Sequence, residues 1–140
     1  MTRYLLDTNV LVRFLVRDDP RQFARAAALF QQTADGRCEL IVTHILLAET
    51  IWVLTSPRLY DVPRADVADR LASLVVQPGV RCADAPVVLD ALARFKATPC
   101  SFFDCYLAAT AAATGDRVAS FDKDLQRFKD VEHWQPGKGA

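Results

Sequence analysis

The stretch Tyr4-Leu5-Leu6-Asp7-Thr8-Asn9 decides the fold. Its first three residues form an apolar run long enough for a buried strand. Asp7-Thr8-Asn9 ends that run with three residues whose short side-chain oxygens can accept from the free N–H groups at a helix start. From Val10 to Val16 the apolar residues Leu11, Phe14 and Leu15 recur at helical spacing, with Arg13 and Arg17 turned away. The order is strand, carboxylate, helix. Ligands of open α/β sheets bind beyond the carboxyl ends of the strands, so Asp7 is well placed for chemistry. The plainer alternative is that Asp7, Thr8 or Asn9 only caps the helix, a commoner use of such residues.

Outward from this stretch the pattern repeats. Asp19-Pro20 opens a second helix with Phe23, Ala27 and Phe30 on its apolar face, and Asp35-Gly36 ends it. Leu40 to Thr43 reads as the second strand, followed by a helix from His44 to Leu54 that is apolar almost all round, with Glu49 in its middle. A glutamate in an otherwise buried helix requires a partner. Asp61-Val62-Pro63 starts another helix, with Val67, Leu71, Leu74 and Val75 inward; Val80 to Cys82 is a short third strand. A helix with Val88, Leu89, Leu92 and Phe95 inside follows Asp84-Ala85-Pro86. The next helix, Phe102 to Thr114, is rich in alanine and holds one charge, Asp104, in its first turn. So many alanines imply close packing. A fourth strand, Val118 to Ser120, leads into Phe121-Asp122-Lys123-Asp124; a short helix to Phe128 and a weak strand around Val131 complete the chain. Strand–helix alternation predicts a mostly parallel sheet with right-handed crossovers. Residues 1–135 are expected to form a single domain, with 136–140 a disordered tail.

Composition narrows the class. Of 140 residues 51% are hydrophobic and 24% charged, ordinary values for one globular domain. No apolar run approaches the roughly 18 residues of a membrane helix, so no membrane association is expected. The opening Met-Thr-Arg-Tyr leads directly into the first strand, which predicts no signal peptide and a cytoplasmic location. Four cysteines show no CxxC pair and the two histidines lie at no finger-like spacing, which excludes a zinc-site pattern. The cysteines read as reduced core residues. Seventeen basic and 17 acidic residues balance to zero, against an electrostatic DNA-coat protein. Thirteen of the basic residues are arginine, the better phosphate ligand. Arg13 and Arg17, with Arg21 and Arg25, could form a basic rim, though a solvated helix surface accounts for them as well.

Four acids stand out. Asp7 and Asp122 follow apolar strands, and Glu49 and Asp104 interrupt apolar helices. If the first and fourth strands are neighbours, Asp7 and Asp122 flank a switch-point crevice. Four carboxylates meeting in one cleft would repel one another unless a cation were present. An all-oxygen donor set suits Mg²⁺ or Mn²⁺ and points to metal-assisted phosphodiester hydrolysis.

The opening Leu-Leu-Asp-Thr-Asn-Val-Leu, the Glu49 helix, Asp104-Cys-Tyr-Leu-Ala-Ala and Ser120-Phe-Asp-Lys-Asp-Leu resemble the PIN-domain ribonucleases. The likeness is greatest to the small toxins of bacterial VapBC toxin–antitoxin pairs and extends over almost the whole chain. It implies a three-layer α/β/α fold around a five-stranded, mostly parallel sheet in order 3-2-1-4-5. It also implies Mg²⁺- or Mn²⁺-dependent RNA cleavage, a homodimer, and inhibition by a cognate antitoxin protein. Asp7, Glu49, Asp104 and Asp122 match the family's acids, with Asp7, Asp104 and Asp122 holding metal and Glu49 holding a second metal or orienting water. Asn9 and Ser120 match supporting polar positions; Asp124 matches a less regular acid. Arg13 and Arg17 are the candidates for RNA or antitoxin contact. The alternatives are a haloacid-dehalogenase-type phosphatase with Asp7 as nucleophile, and a non-catalytic binding module. The phosphatase motif needs a second aspartate where Asn9 stands, and it leaves Glu49 without a role.

Overall fold

The computed structural model describes residues 1–137. Two compact units divide the chain, Met1–Ala85 and Pro86–Ala140.

The first unit holds three parallel strands, β1 (Thr2–Leu5), β2 (Cys38–Ile41) and β3 (Val80–Arg81), in the order β1-β2-β3. Thr2 pairs with Cys38 and Leu5 with Ile41, while Leu40 pairs with Val80. Parallel neighbours need crossovers. Helices α1 (Thr8–Val16) and α2 (Pro20–Ala34) supply the first, and α3 (His44–Thr55) and α4 (Arg64–Val75) the second. Each start has a local cause. Asp7 caps α1, Asp19 caps α2 ahead of Pro20 in its first turn, and Thr43 caps α3 by accepting from the Leu46 N–H. Leu11, Leu40, Leu47, Leu54, Val67 and Leu71 are fully buried. Phe14 of α1 stacks on Phe30 of α2, ring centroids 4.2 Å apart. Truncating a core residue such as Leu47 to alanine would cost about 2–5 kcal/mol. Gly79, at φ +84°, turns the chain into β3; a Cβ there would lie 2.7 Å from the Thr33 carbonyl oxygen, so glycine is required.

The second unit opens with α5 (Ala85–Ala97, its first residue on the boundary), then α6 (Phe102–Thr114), β4 (Val118–Ala119), a 3₁₀ turn (Lys123–Arg127) and β5 (His133–Trp134). Strands β4 and β5 pair in parallel, Val118 opposite His133. The α6 alanines have the use their number implied: Ala108, Ala109 and Ala111 are buried, and α6 touches β4 and the 3₁₀ turn. Phe95 meets Phe102 edge to face at 6.1 Å. Arg94, over the Phe128 ring, also binds Asp90 and Asp130 and ties α5 to the chain end.

Helices alternating with parallel strands are of the expected α/β class. Within the two sheets the orders 3-2-1 and 4-5 are those expected; the ladders among the described residues form a three-stranded and a two-stranded sheet rather than one of five. Several local expectations need correction. Strand β1 is exposed along its length, Leu5 to 76%, and only Leu6 of the expected buried run is covered. It pairs on one edge, with β2. Nor is α3 buried all round, for Ile45 and Trp52 are 81% and 66% exposed and Glu49 shares their solvent face. The last strand lies two residues beyond Val131. Pro136 and Gly137 form a turn, and the remainder of the expected tail, 138–140, lies outside the described residues.

Candidate metal centre

In the second unit, carboxylate oxygens of Asp104, Asp122 and Asp124 all lie within 4.8 Å of one another. Local structure explains the approach. Ser101 caps α6, its Oγ accepting from the Asp104 N–H at 3.2 Å, which fixes Asp104 in the first turn. After β4, the Ser120 Oγ accepts from the Asp122 N–H at 2.9 Å, and Asp122 Oδ1 accepts from the Asp124 N–H at 2.9 Å. These two tight turns set Asp122 and Asp124 at the start of the 3₁₀ segment, which α6 touches. Asp104 is half-buried and its partners are exposed. Burial first, and then the charge of Asp122 and the weaker one of Asp124, raise the Asp104 carboxyl above the usual carboxylate range, against the hydrogen bond with Ser101.

The first unit holds the other expected acids. Asp7 caps α1, its Oδ2 accepting from the Asn9 N–H at 3.3 Å. Capping and a ligand role are therefore compatible, since a carboxylate has two oxygens. Glu49 Oε2 accepts from Thr8 Oγ1 at 2.5 Å. Asn9 is exposed and lines, with Arg13 and Arg25, a groove of about 360 Å³ along α1 and α2. Arg13 is internally engaged: Nη1 donates to both Asp18 oxygens and to Tyr60, and Nε donates to Gln22. The hydrogen bonds to Asp18 and Tyr60 raise its pKa further. Arg17 ends α1 in a left-handed conformation, φ 61°, with its guanidinium over the Phe23 ring.

The donor set suits a hard divalent cation. Three carboxylates offer only oxygen, with no thiol or imidazole among them, and their mutual repulsion is what a cation would relieve. A family model described as the PIN domain matches residues 4–131.

The chain belongs to the PIN-domain family.

PIN domains are in general metal-dependent nucleases, so the match and the acid cluster agree. The match spans every acid named above and carries the three-layer α/β/α class. No curated protein matched the chain. Membership in this family stands against the phosphatase alternative, whose second aspartate is missing at Asn9. No helix among the described residues is long and apolar enough to cross a membrane.

Sequence reasoning passed over two residues of these sites. Ser101 was visible three positions before Asp104, at the spacing of a helix cap. By sequence Thr8 is only a candidate cap, and nothing in the sequence joins it to Glu49.

Proposed function

We propose that this PIN domain, residues 1–135, is an endoribonuclease dependent on Mg²⁺ or Mn²⁺ and acts as the toxin of a toxin–antitoxin pair. The observation that carries the reading is the meeting of Asp104, Asp122 and Asp124 within a nuclease family. Asp104 and Asp122 would hold the cation, and Asp124, with a carboxylate oxygen within 4.8 Å of theirs, would help to hold it. The sequence pattern adds Asp7 as a further ligand and Glu49 as the acid that holds a second cation or orients water. When bound, the cation supplies charge neutralisation at the phosphodiester and makes water a better nucleophile. Ser120 and Ser101 fix the backbone of Asp122 and Asp104 by accepting from their N–H groups, and Asn9 lies beside Asp7 to orient polar groups. Arginine-rich composition supports a phosphate polymer as substrate. Resemblance to the VapBC toxins supports RNA as that polymer, a homodimer, a cognate antitoxin and a cytoplasmic setting.

End groups of the cut RNA test the chemistry. A water nucleophile leaves a 5′-phosphate and a 3′-hydroxyl, whereas attack by the RNA's own 2′-hydroxyl leaves a cyclic phosphate. Mass spectrometry of fragments made with Mg²⁺ should show 5′-phosphates, and chelator should stop the reaction. Cyclic phosphate ends, formed equally well in chelator, would overturn the mechanism.

A further inference from the structure

One short contact in the first unit has no part in that account. Thr8 Oγ1 donates to Glu49 Oε2 at 2.5 Å, between residues 41 positions apart. It is a short hydrogen bond of a hydroxyl to a carboxylate. Thr8 is the first residue of α1, half-buried, and its branched Cβ restricts χ1, so its hydroxyl direction is set by the helix start. Glu49 has no such restraint of its own. It is a long side chain on the exposed face of α3 and would otherwise sample many rotamers. Nor does α3 need the contact as an anchor: Leu46, Leu47, Ile51 and Leu54 bury its other side. The bond occupies one carboxylate oxygen of Glu49 and leaves the second for another ligand. Asp7, the residue before Thr8, is fixed by the same helix start through the Asn9 N–H. One three-residue turn thus orients two carboxylates, the first through backbone and the second through a side chain.

We infer that Thr8 is a positioning residue for Glu49, fixing its carboxylate for work on the divalent cation; the inference rests on the nuclease reading above. Mn²⁺ uptake by the full chain, read as loss of the free-ion EPR signal, measures it without any turnover. Thr8→Val keeps the shape and removes the hydroxyl, and should weaken Mn²⁺ binding about tenfold or more, within the range for residues that orient metal ligands. Thr8→Ser keeps the donor and should stay within about threefold of wild type. In a Glu49→Gln background Thr8→Val should add nothing, because Thr8 acts only through Glu49. Melting in chelator should place Thr8→Val close to wild type, and Thr8→Ala serves in its place if the valine variant does not fold. Wild-type affinity in Thr8→Val, equal losses in the valine and serine variants, or a further loss in the double variant would each overturn the inference alone. A wild-type chain that takes up no Mn²⁺ would overturn the nuclease reading, and this inference with it.

Discussion

The two units differ in how closely they crowd their candidate acids. In the first, both candidate acids have a donor: Asp7 has the Asn9 N–H and Glu49 the Thr8 hydroxyl. In the second, three carboxylates face one another: Ser101 and Ser120 accept from the backbone N–H groups of Asp104 and Asp122, and Asp122 Oδ1 accepts from the Asp124 N–H, bonds that fix positions without cancelling charge. The consequence appears at Asp104, whose carboxyl is raised by burial and by its neighbours. An acid with a donor is stable as it stands. A crowded set of acids stores repulsion that only protons or a cation remove. The two arrangements therefore predict different responses to the same ion and the same substitutions.

The largest effect should be on activity. Asp104→Asn and Asp122→Asn should each lower RNA cleavage by roughly 10³-fold or more, with the double variant little worse than either, because the acids act as a unit. A fluorogenic RNA assay beside circular dichroism of the folded variants checks this; additive losses would break the picture of one shared cluster. Next comes stability. At 100 times its dissociation constant a cation should stabilise the fold by about 2.7 kcal/mol, read as an upward shift in Tm. In chelator Asp104→Asn should melt no lower than wild type, since it relieves repulsion, and in Mg²⁺ it should fall behind. Glu49→Gln should gain nothing in chelator. If both variants behave alike, the contrast between the units is wrong.

A smaller effect follows from a paired acid away from either set. Arg94 hydrogen-bonds Asp130 and holds its carboxyl below the usual range. A depressed pKa contributes stability above the unfolded value near 3.8, lost as pH falls through the folded one. Asp130→Asn should therefore lower Tm at pH 7, and the difference should vanish in acid. Solvent exposure keeps it to about 1 kcal/mol or less. Smallest is the Arg17 effect. Its left-handed φ of 61° suits glycine, so Arg17→Gly should not destabilise α1. If Arg17 touches RNA phosphate, the variant should reduce the salt slope of binding by about 0.7.

Much of this was legible in the sequence because short-range chemistry decides it. Pro20 after Asp19, and the run Phe102 to Thr114, set helix bounds that the structure repeats. Of the cluster acids, Asp104 was legible as a charge inside an apolar helix and Asp122 as the acid at the end of a strand, whereas Asp124 was marked only by the family resemblance. Exposure was not. The apolar run Tyr4-Leu5-Leu6 looks the same whether a strand is covered on both faces or neither, and periodicity could not show Ile45 and Trp52 facing solvent. Arg13 reads in the sequence as part of a basic rim or a solvated surface, and its Tyr60 partner, 47 residues away, leaves no local sign. The Thr8–Glu49 bond spans 41 residues, and no local signal encodes such a pair.

The double duty of Asp7 and Asp122 governs how variants at these positions are to be interpreted. At Asp122, Oδ1 accepts from the Asp124 N–H, so this side chain shapes the turn that brings Asp124 to the cluster. Alanine would erase the charge and the turn together, confounding two losses in one measurement. Asparagine keeps an oxygen that can accept the same N–H and removes only the charge. The difference between the two substitutions at one residue separates architecture from chemistry, a dissection that Asp104, whose turn is held by Ser101, does not offer.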